Sequence, residues 1–165
     1  MNIKTLLKKT FFVYHKMKPF NIDNAKVVIL GTFPGEESLK HNKYYSNPTN
    51  QFWKILGIEF GNFKALKDKG IGLWDVIKYC DPKDDSSDKS IKNPKYNDLS
   101  NLDGKKIFFN GKKAYLYYKR AVREKKIKAL GHSKMVVLPS SSRANTRSPK
   151  NKQKAWNMVL NKRSK

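Results

Sequence analysis

The sequence predicts an α/β fold: a three-layer α/β/α sandwich around a short, mainly parallel four-stranded sheet. Two observations predict it. Four short apolar runs typical of strands are separated by segments with helical periodicity, and such alternation produces parallel sheets. The chain also has 165 residues, of which 38% are hydrophobic and 12% aromatic, enough for one packed core. We therefore expect one domain over residues 1–165.

The strands are predicted from apolar runs of four to six residues that end at a turn. They cover residues 26–31, 71–76, 106–109 and 134–138. Gly31, the pair Asn110 and Gly111, and Pro139 stop three of these runs. In sheets of this class, ligands bind at the carboxyl ends of the strands, so the loops after these runs are the places to search for a site.

The helices are predicted from the spacing of apolar residues and from terminal signals. They cover residues 1–19 with an end before Pro19, and then 50–56, 112–126 and 151–162. In the last of these, Trp156, Val159 and Leu160 are expected to face inward. Residues 1–18 form a basic N-terminal segment within the predicted domain.

The net charge is +23, from 36 Lys and Arg against 13 Asp and Glu. From Lys106 to the end of the sequence, Glu124 is the only acidic residue. This charge suggests a polyanionic partner, most simply nucleic acid. Most of the basic residues are lysines, however, and an AT-rich genome favours Lys codons without selection for binding. Both explanations of the charge remain open.

Several classes of protein are excluded or disfavoured. A single cysteine, Cys80, excludes a disulfide framework and a Cys-based zinc or four-Cys iron–sulfur site within one chain. His15, His41 and His132 share no ligand spacing, so we expect no metal and no cofactor. No apolar run reaches about 18 residues, and no signal peptide is evident. We therefore expect no membrane partner and a protein that is not secreted.

Three loops carry candidate chemistry. Residues 31–35 allow close backbone approach to a ligand, although a plain turn explains them equally well. Residues 44–53 combine aromatic rings with amides, which suits a planar, hydrogen-bonding ligand such as a base. Within them, Phe52 and Trp53 are expected in the core, whereas Tyr45 and Asn50 fit that role less well. Residues 140–143 offer hydroxyls and a cation for phosphate, or form a solvated connector.

Four motifs follow one another along the chain: residues 31–35 with Ser38 and Leu39, residues 44–53, residues 70–77 and residues 138–145. In this order they resemble the hypoxanthine-DNA (DNA-deoxyinosine) glycosylase branch of the uracil-DNA glycosylase superfamily. Further residues fit the same pattern: Ser87, Asp88, Ile91, Asn97, Asp98 and residues 109–111. The resemblance spans roughly residues 20–156 and implies the same α/β/α fold.

The resemblance implies a monofunctional DNA glycosylase without a cofactor or metal. Such an enzyme flips a damaged base, hypoxanthine foremost, out of double-stranded DNA. Water then cuts the N-glycosidic bond and leaves an abasic site. A monomer located with DNA in the cytoplasm, at the nucleoid, is expected.

The resemblance also implies the catalytic residues. Relatives that excise uracil or mismatched thymine have Asn where this chain has Phe33, so a water-positioning amide must come from elsewhere. We assign it to Asn50. Asp75 either accepts a hydrogen bond from hypoxanthine N1–H or orients the water. Tyr45 corresponds to the aromatic ring that stacks on the flipped base.

The remaining assignments concern the base pocket and the DNA-binding loop. Two positions depart from the branch: Arg143 replaces the usual Pro, and Asn47 stands where many relatives have His. The base pocket is predicted to contain Gly31, Thr32, Phe33, Tyr45 and Asn110, and the DNA-binding loop is predicted to contain Ser140, Ser141, Ser142, Arg143 and Asn145.

Three alternatives remain. The first is a uracil-excising or mismatch-specific glycosylase, which Phe33 argues against. The second is a catalytically inactive DNA-binding protein on the same fold, which the presence of Asn50, Asp75 and the three serines disfavours. The third is a nucleotide-binding or small-molecule enzyme, for which the sequence lacks a phosphate loop and a dinucleotide fingerprint.

Overall fold

The computed structural model describes residues 13–14, 17–80, 91–145 and 148–161. Its strands are β1 (Val13–Tyr14), β2 (Val27–Gly31), β3 (Ile71–Asp75), β4 (Ile77–Cys80), β5 (Lys95–Tyr96), β6 (Lys106–Asn110) and β7 (Met135–Leu138). Its α-helices are α1 (Glu36–His41), α2 (Phe52–Leu56), α3 (Phe63–Asp68), α4 (Lys112–Arg123) and α5 (Pro149–Leu160).

A four-stranded parallel sheet forms the centre of the fold, with strand order β3-β2-β6-β7. This confirms the predicted sheet, and all four predicted strands are present. The two central strands, β2 and β6, are apolar along their middles because helices cover both faces. Ile29 and Phe108, for example, are completely buried.

The two faces of the sheet pack against different helices, which gives the three predicted layers. Ile29 and Phe108 belong to a core with α2, α3 and α5, which contribute Phe52, Leu66 and Trp156. Alternate residues of the same strands point to the opposite face, where they pack against α4 and the short 3₁₀ turn Ser100–Leu102. Phe52, Trp53, Trp156 and Val159 are buried and Leu160 is partly buried, as predicted.

A second, antiparallel sheet with strand order β1-β4-β5 was not predicted. The predicted helix over residues 1–19 is wrong at Val13 and Tyr14, which pair with Cys80 and Tyr79 of β4. The open edge of β4 supplies backbone partners that the local sequence does not reveal, and these partners favour extended structure. The rest of the basic N-terminal segment up to residue 12, and Ser87 and Asp88, lie outside the described residues.

Helix boundaries differ by a few residues from the prediction. Helix α2 begins at Phe52 rather than residue 50, and α4 ends at Arg123. Helix α5 begins at Pro149 because Ser148 caps it, its hydroxyl accepting a hydrogen bond from Asn151 N at 3.3 Å. Helices α1 and α3 were missed because six residues are too few for an apolar period to show.

The strand order places a crevice at one end of the sheet. From β2 the chain passes to β3 on one side, and later to β6 on the other. The loops that leave β2 and β6 therefore diverge between these two strands, at their carboxyl ends, which is where ligands bind in open α/β sheets. Cys80 is buried at the end of β4. Among the described residues, no helix has the length and apolar character needed to cross a membrane.

Candidate functional site

A cavity of about 370 Å³ opens at this crevice. It brings together loops that are far apart in the chain, from β2, β3, β6 and β7. Arg143 and Asn145 are not part of its wall, whereas the other ten predicted site residues are. Those ten are Gly31, Thr32, Phe33, Tyr45, Asn50, Asp75, Asn110, Ser140, Ser141 and Ser142.

Asp75 is a buried carboxyl group at the end of β3, and its side chain takes the space next to Gly31. The two residues are partners in the parallel ladder, and a Cβ atom on Gly31 would lie 2.5 Å from Asp75 Oδ1. Burial raises the pKa of Asp75 from 3.8 to about 7. Asp75 Oδ2 has no hydrogen-bond partner among the described residues. The site therefore contains a carboxyl group that titrates near neutrality.

Tyr45 is held in place on several sides. Its ring stacks on Phe52 at 3.7 Å between centroids, and Trp53 Nε1 donates to its backbone oxygen at 2.9 Å. Asn110 Nδ2 donates to its hydroxyl at 3.0 Å. Its backbone is in the left-handed region, with φ 53°. Burial raises the pKa of the hydroxyl above its ordinary value, so the ring is an uncharged platform at neutral pH.

Asn110 joins the loop that contains Tyr45 to the serine loop, residues 140–145. Its Nδ2 also donates to Ser141 Oγ at 2.8 Å, and its Oδ1 accepts from Ser141 N at 2.8 Å. Ser141 is fully buried, and its hydroxyl is engaged inside the protein. Ser140 and Ser142, in contrast, are partly exposed. The serine loop therefore offers Ser140 and Ser142 to a ligand more readily than Ser141.

Asn50 lies in the cavity wall just before α2. Its Oδ1 accepts a hydrogen bond from Phe52 N at 3.0 Å, which fixes the orientation of the side-chain amide. Asn47, also in the wall, accepts from Thr49 N at 2.9 Å and from Thr49 Oγ1 at 2.8 Å. Asn47 thus stabilises a local turn, whereas Asn50 Nδ2 has no hydrogen-bond partner among the described residues.

The serine loop is braced by its own side chains. Ser140 Oγ accepts from Ser142 N at 3.2 Å, and Asn145 Nδ2 donates to Ser140 O at 3.3 Å. Ser142 Oγ accepts from Ala144 N at 3.3 Å. These bonds curl the loop back on itself and leave Arg143 exposed at its turn. Arg143 is therefore placed to contact a large ligand outside the cavity.

Lys152 supports both loops from behind. It is completely buried in α5, and its Nζ donates to Gln51 Oε1 at 2.8 Å. The same ammonium donates to the backbone oxygens of Ser142 at 3.0 Å and Asn145 at 3.1 Å. Gln51 N in turn donates to Ser141 O at 3.0 Å. One buried lysine thus connects the segment that contains Asn50 to the serine loop.

Comparison with known proteins assigns a family. The family model of the uracil DNA glycosylase superfamily matches residues 17–160. The chain belongs to the uracil DNA glycosylase superfamily. It is 36% identical over 153 residues to a protein of Methanosarcina acetivorans named hypoxanthine DNA glycosylase, covering 84% of this chain and 92% of that protein. A Methanosarcina barkeri protein of the same name is 35% identical over 149 residues, covering 81% and 89%.

A solved structure agrees with the family assignment. It is the solution NMR structure of a candidate uracil DNA glycosylase from Methanosarcina acetivorans, with a TM-score of 0.65 and 35% sequence identity. The similarity covers 83% of this chain and 89% of that one. The described cavity therefore lies on a fold of the uracil DNA glycosylase superfamily.

Lys152, which supports the site, and Tyr44, which lines the cavity, were not predicted from the sequence. Lys152 was missed because lysine is ordinarily exposed. Lys152 lies four residues before Trp156 and seven before Val159, which places it on the buried face of the helix. This spacing was the signal that could have identified it. Tyr44, which lines the cavity and is 7% exposed, was missed because nothing local distinguishes it from Tyr45.

We predict that Lys152→Met lowers the free energy of unfolding by about 2–4 kcal/mol. The substitution preserves the length of the side chain but removes the ammonium that donates to Gln51 Oε1 and to the backbone oxygens of Ser142 and Asn145. Urea unfolding measures the effect. Lys154→Met is the matched control, because Lys154 is exposed on the same helix. Equal stability of the two variants would contradict the assigned role of Lys152.

Proposed function

We propose that this protein is a DNA glycosylase that flips a deaminated base, hypoxanthine foremost, out of DNA and hydrolyses its N-glycosidic bond. The observation that carries this function is one cavity that combines a fixed aromatic platform, a buried carboxyl group and a serine loop. It occurs in a chain of the uracil DNA glycosylase superfamily that is similar to two proteins named hypoxanthine DNA glycosylase.

The reaction has simple bond changes. The bond between C1′ of the sugar and N9 of hypoxanthine breaks, and its electron pair leaves on the base. A water molecule adds to C1′ and releases a proton, which gives an abasic site. Charge develops positively on the sugar and negatively on the base, so groups oriented in advance stabilise the transition state. No metal is needed for these changes.

Each wall of the cavity has a part in this reaction. The ring of Tyr45 provides a flat surface for the flipped base, since Phe52 and Asn110 prevent its rotation. The amide of Asn50 positions the attacking water. Asp75 either accepts from N1–H of the base or orients that water. Phe33, Thr32 and the backbone at Gly31 close the remaining side of the cavity.

The mouth of the cavity binds the DNA backbone. In the serine loop Arg143 is exposed and Ser140 and Ser142 are partly exposed, and Lys112 and Lys113 line the cavity. Hydroxyls and cations of this kind bind phosphates and set the register of the protein on the duplex. The protein acts as a monomer on double-stranded DNA, in the compartment that contains the chromosome.

We predict that the protein releases hypoxanthine from a duplex, and that Asn50→Ala lowers the single-turnover rate by at least about 100-fold. The assay uses duplexes with one hypoxanthine, uracil, xanthine or mismatched thymine. Release of uracil alone would favour the uracil-specific alternative. Binding without release of any base would favour an inactive DNA-binding protein.

Two control variants separate catalysis by Asn50 from its role at the start of α2. Asn62→Ala removes a similar cap, because Asn62 Oδ1 accepts from Ala65 N at 3.0 Å at the start of α3. Asn62 does not line the cavity. Asn50→Asp keeps an oxygen for Phe52 N but removes the amide donor. We expect full activity in Asn62→Ala and low activity in Asn50→Asp.

We predict that the excision rate rises with pH through about 7, because the carboxylate form of Asp75 is the hydrogen-bond acceptor. Asp75→Asn does not titrate, and its neutral amide oxygen accepts a weaker hydrogen bond than a carboxylate does. Its rate is therefore lower and lacks this inflection. A pH-rate profile of both proteins over about pH 5.5 to 8.5 measures the difference. An identical inflection in the Asn variant would contradict the role of Asp75.

The same carboxyl group makes stability depend on pH. The folded protein holds the proton of Asp75 more tightly than the unfolded chain, so this contribution to stability is lost as pH rises from 3.8 to about 7. The full effect is about 4 kcal/mol. We therefore expect Asp75→Asn to gain stability relative to the natural protein between about pH 4 and pH 8, by urea unfolding.

We predict that binding to undamaged duplex DNA weakens steeply with salt. Each phosphate that a lysine or arginine neutralises contributes about −0.9 to the slope of log K against log salt concentration. Fluorescence anisotropy at several salt concentrations gives the slope. A slope near zero would show that the basic residues do not meet phosphates and that codon usage explains the charge.

A further inference from the structure

We propose that Tyr44 and Asp75 together read the lactam edge of the flipped base, with the Tyr44 hydroxyl donating to O6 and the Asp75 carboxylate accepting from N1–H. This inference rests on the proposed function and deepens it. It names the edge of the base that is recognised, adds Tyr44 to the site, and assigns Asp75 to base reading rather than to the water.

Both groups are buried without a protein partner. Tyr44 Oη and Asp75 Oδ2 have no hydrogen-bond partner among the described residues, although Tyr44 is 7% and Asp75 5% exposed. Unpaired buried polar groups are costly and rare in native proteins, so each requires an explanation. Both residues line the same cavity. A ligand in that cavity can supply the two missing bonds.

The Tyr44 hydroxyl keeps its proton in this cavity and can donate it to a ligand. Burial raises the pKa of the Tyr44 hydroxyl above its ordinary value, and the negative charge of Asp75 raises it further. The hydroxyl is thus a neutral donor at neutral pH. The neighbouring Tyr45 hydroxyl, in contrast, already has a protein partner, since it accepts from Asn110 Nδ2 at 3.0 Å.

One donor beside one acceptor is the complement of a lactam. Hypoxanthine presents the acceptor O6 next to the donor N1–H, and uracil and xanthine present the same arrangement. Adenine, the parent of hypoxanthine, presents a donor amino group next to the acceptor N1. In the cavity it would set donor against donor and acceptor against acceptor. Sites built on such pairs reject the wrong partner strongly, because buried polar groups are left unpaired.

The substitution Tyr44→Phe tests the inference, because it removes the hydroxyl and little else. We expect the single-turnover rate of hypoxanthine excision to fall by about 100-fold, as for the loss of one well-placed donor. The melting temperature should stay unchanged or rise, because no protein partner loses a bond. An unchanged excision rate, or a fall in melting temperature like that of the control below, would overturn the inference.

Tyr118→Phe is the matched control. Tyr118 is also buried, at 5% exposed, but its hydroxyl accepts from Leu130 N at 2.8 Å and it does not line the cavity. Its removal should therefore lower the melting temperature and leave excision unchanged. The two substitutions are thus expected to have opposite effects: Tyr44→Phe lowers the excision rate, and Tyr118→Phe lowers the melting temperature.

A binding measurement separates this inference from the proposed function. Anisotropy compares the Kd for duplexes with one hypoxanthine or one adenine at the same position. We expect the natural protein to prefer hypoxanthine and Tyr44→Phe to lose about tenfold of that preference. If the preference falls without any excision by the natural protein, the inference holds and the glycosylase function fails. If excision occurs and the preference is unchanged, the inference fails alone.

Discussion

The hydrogen bonds of the Asn110 side chain hold the cavity together. They join Tyr45, which follows β2, to Ser141, which follows β7, across the carboxyl ends of the central strands. The loops diverge at this point because the chain reverses its direction of progress through the sheet. Without a bridge, two loops far apart in sequence would move independently. Lys152 supplies a second bridge behind the first, between Gln51 and the serine loop.

The polar groups in and around the cavity are of two kinds. Some have hydrogen-bond partners within the protein, and others have none among the described residues. Asn110, Ser141 and Lys152 have hydrogen-bond partners within the protein and hold the walls. Tyr44 Oη and Asp75 Oδ2 have none among the described residues. A buried carboxyl group with a raised pKa lowers the stability of the fold at neutral pH. Such a group is typical of sites where function opposes stability.

The charge of +23 has a narrower meaning in this setting. Most residues that line the cavity are neutral, and the charged ones are Asp75, Lys112 and Lys113. Charge therefore bears on the affinity for the DNA backbone, whereas neutral donors and one carboxyl group recognise the base. The single cysteine, Cys80, is buried at the end of β4 and does not line the cavity.

The amino-acid pattern alone predicts the parallel sheet, helices α4 and α5, and ten of the residues that line the cavity. Apolar runs such as the one before Gly31 must be buried, and their alternation with helical periodicity produces a parallel sheet. The sequence did not determine the pairing of Val13 and Tyr14 with β4, because a strand edge is a tertiary partner. It did not reveal that the Ser141 hydroxyl is engaged inside the protein, or that Lys152 is buried. Only the tertiary structure decides which polar groups find partners, since those partners lie far away in the chain.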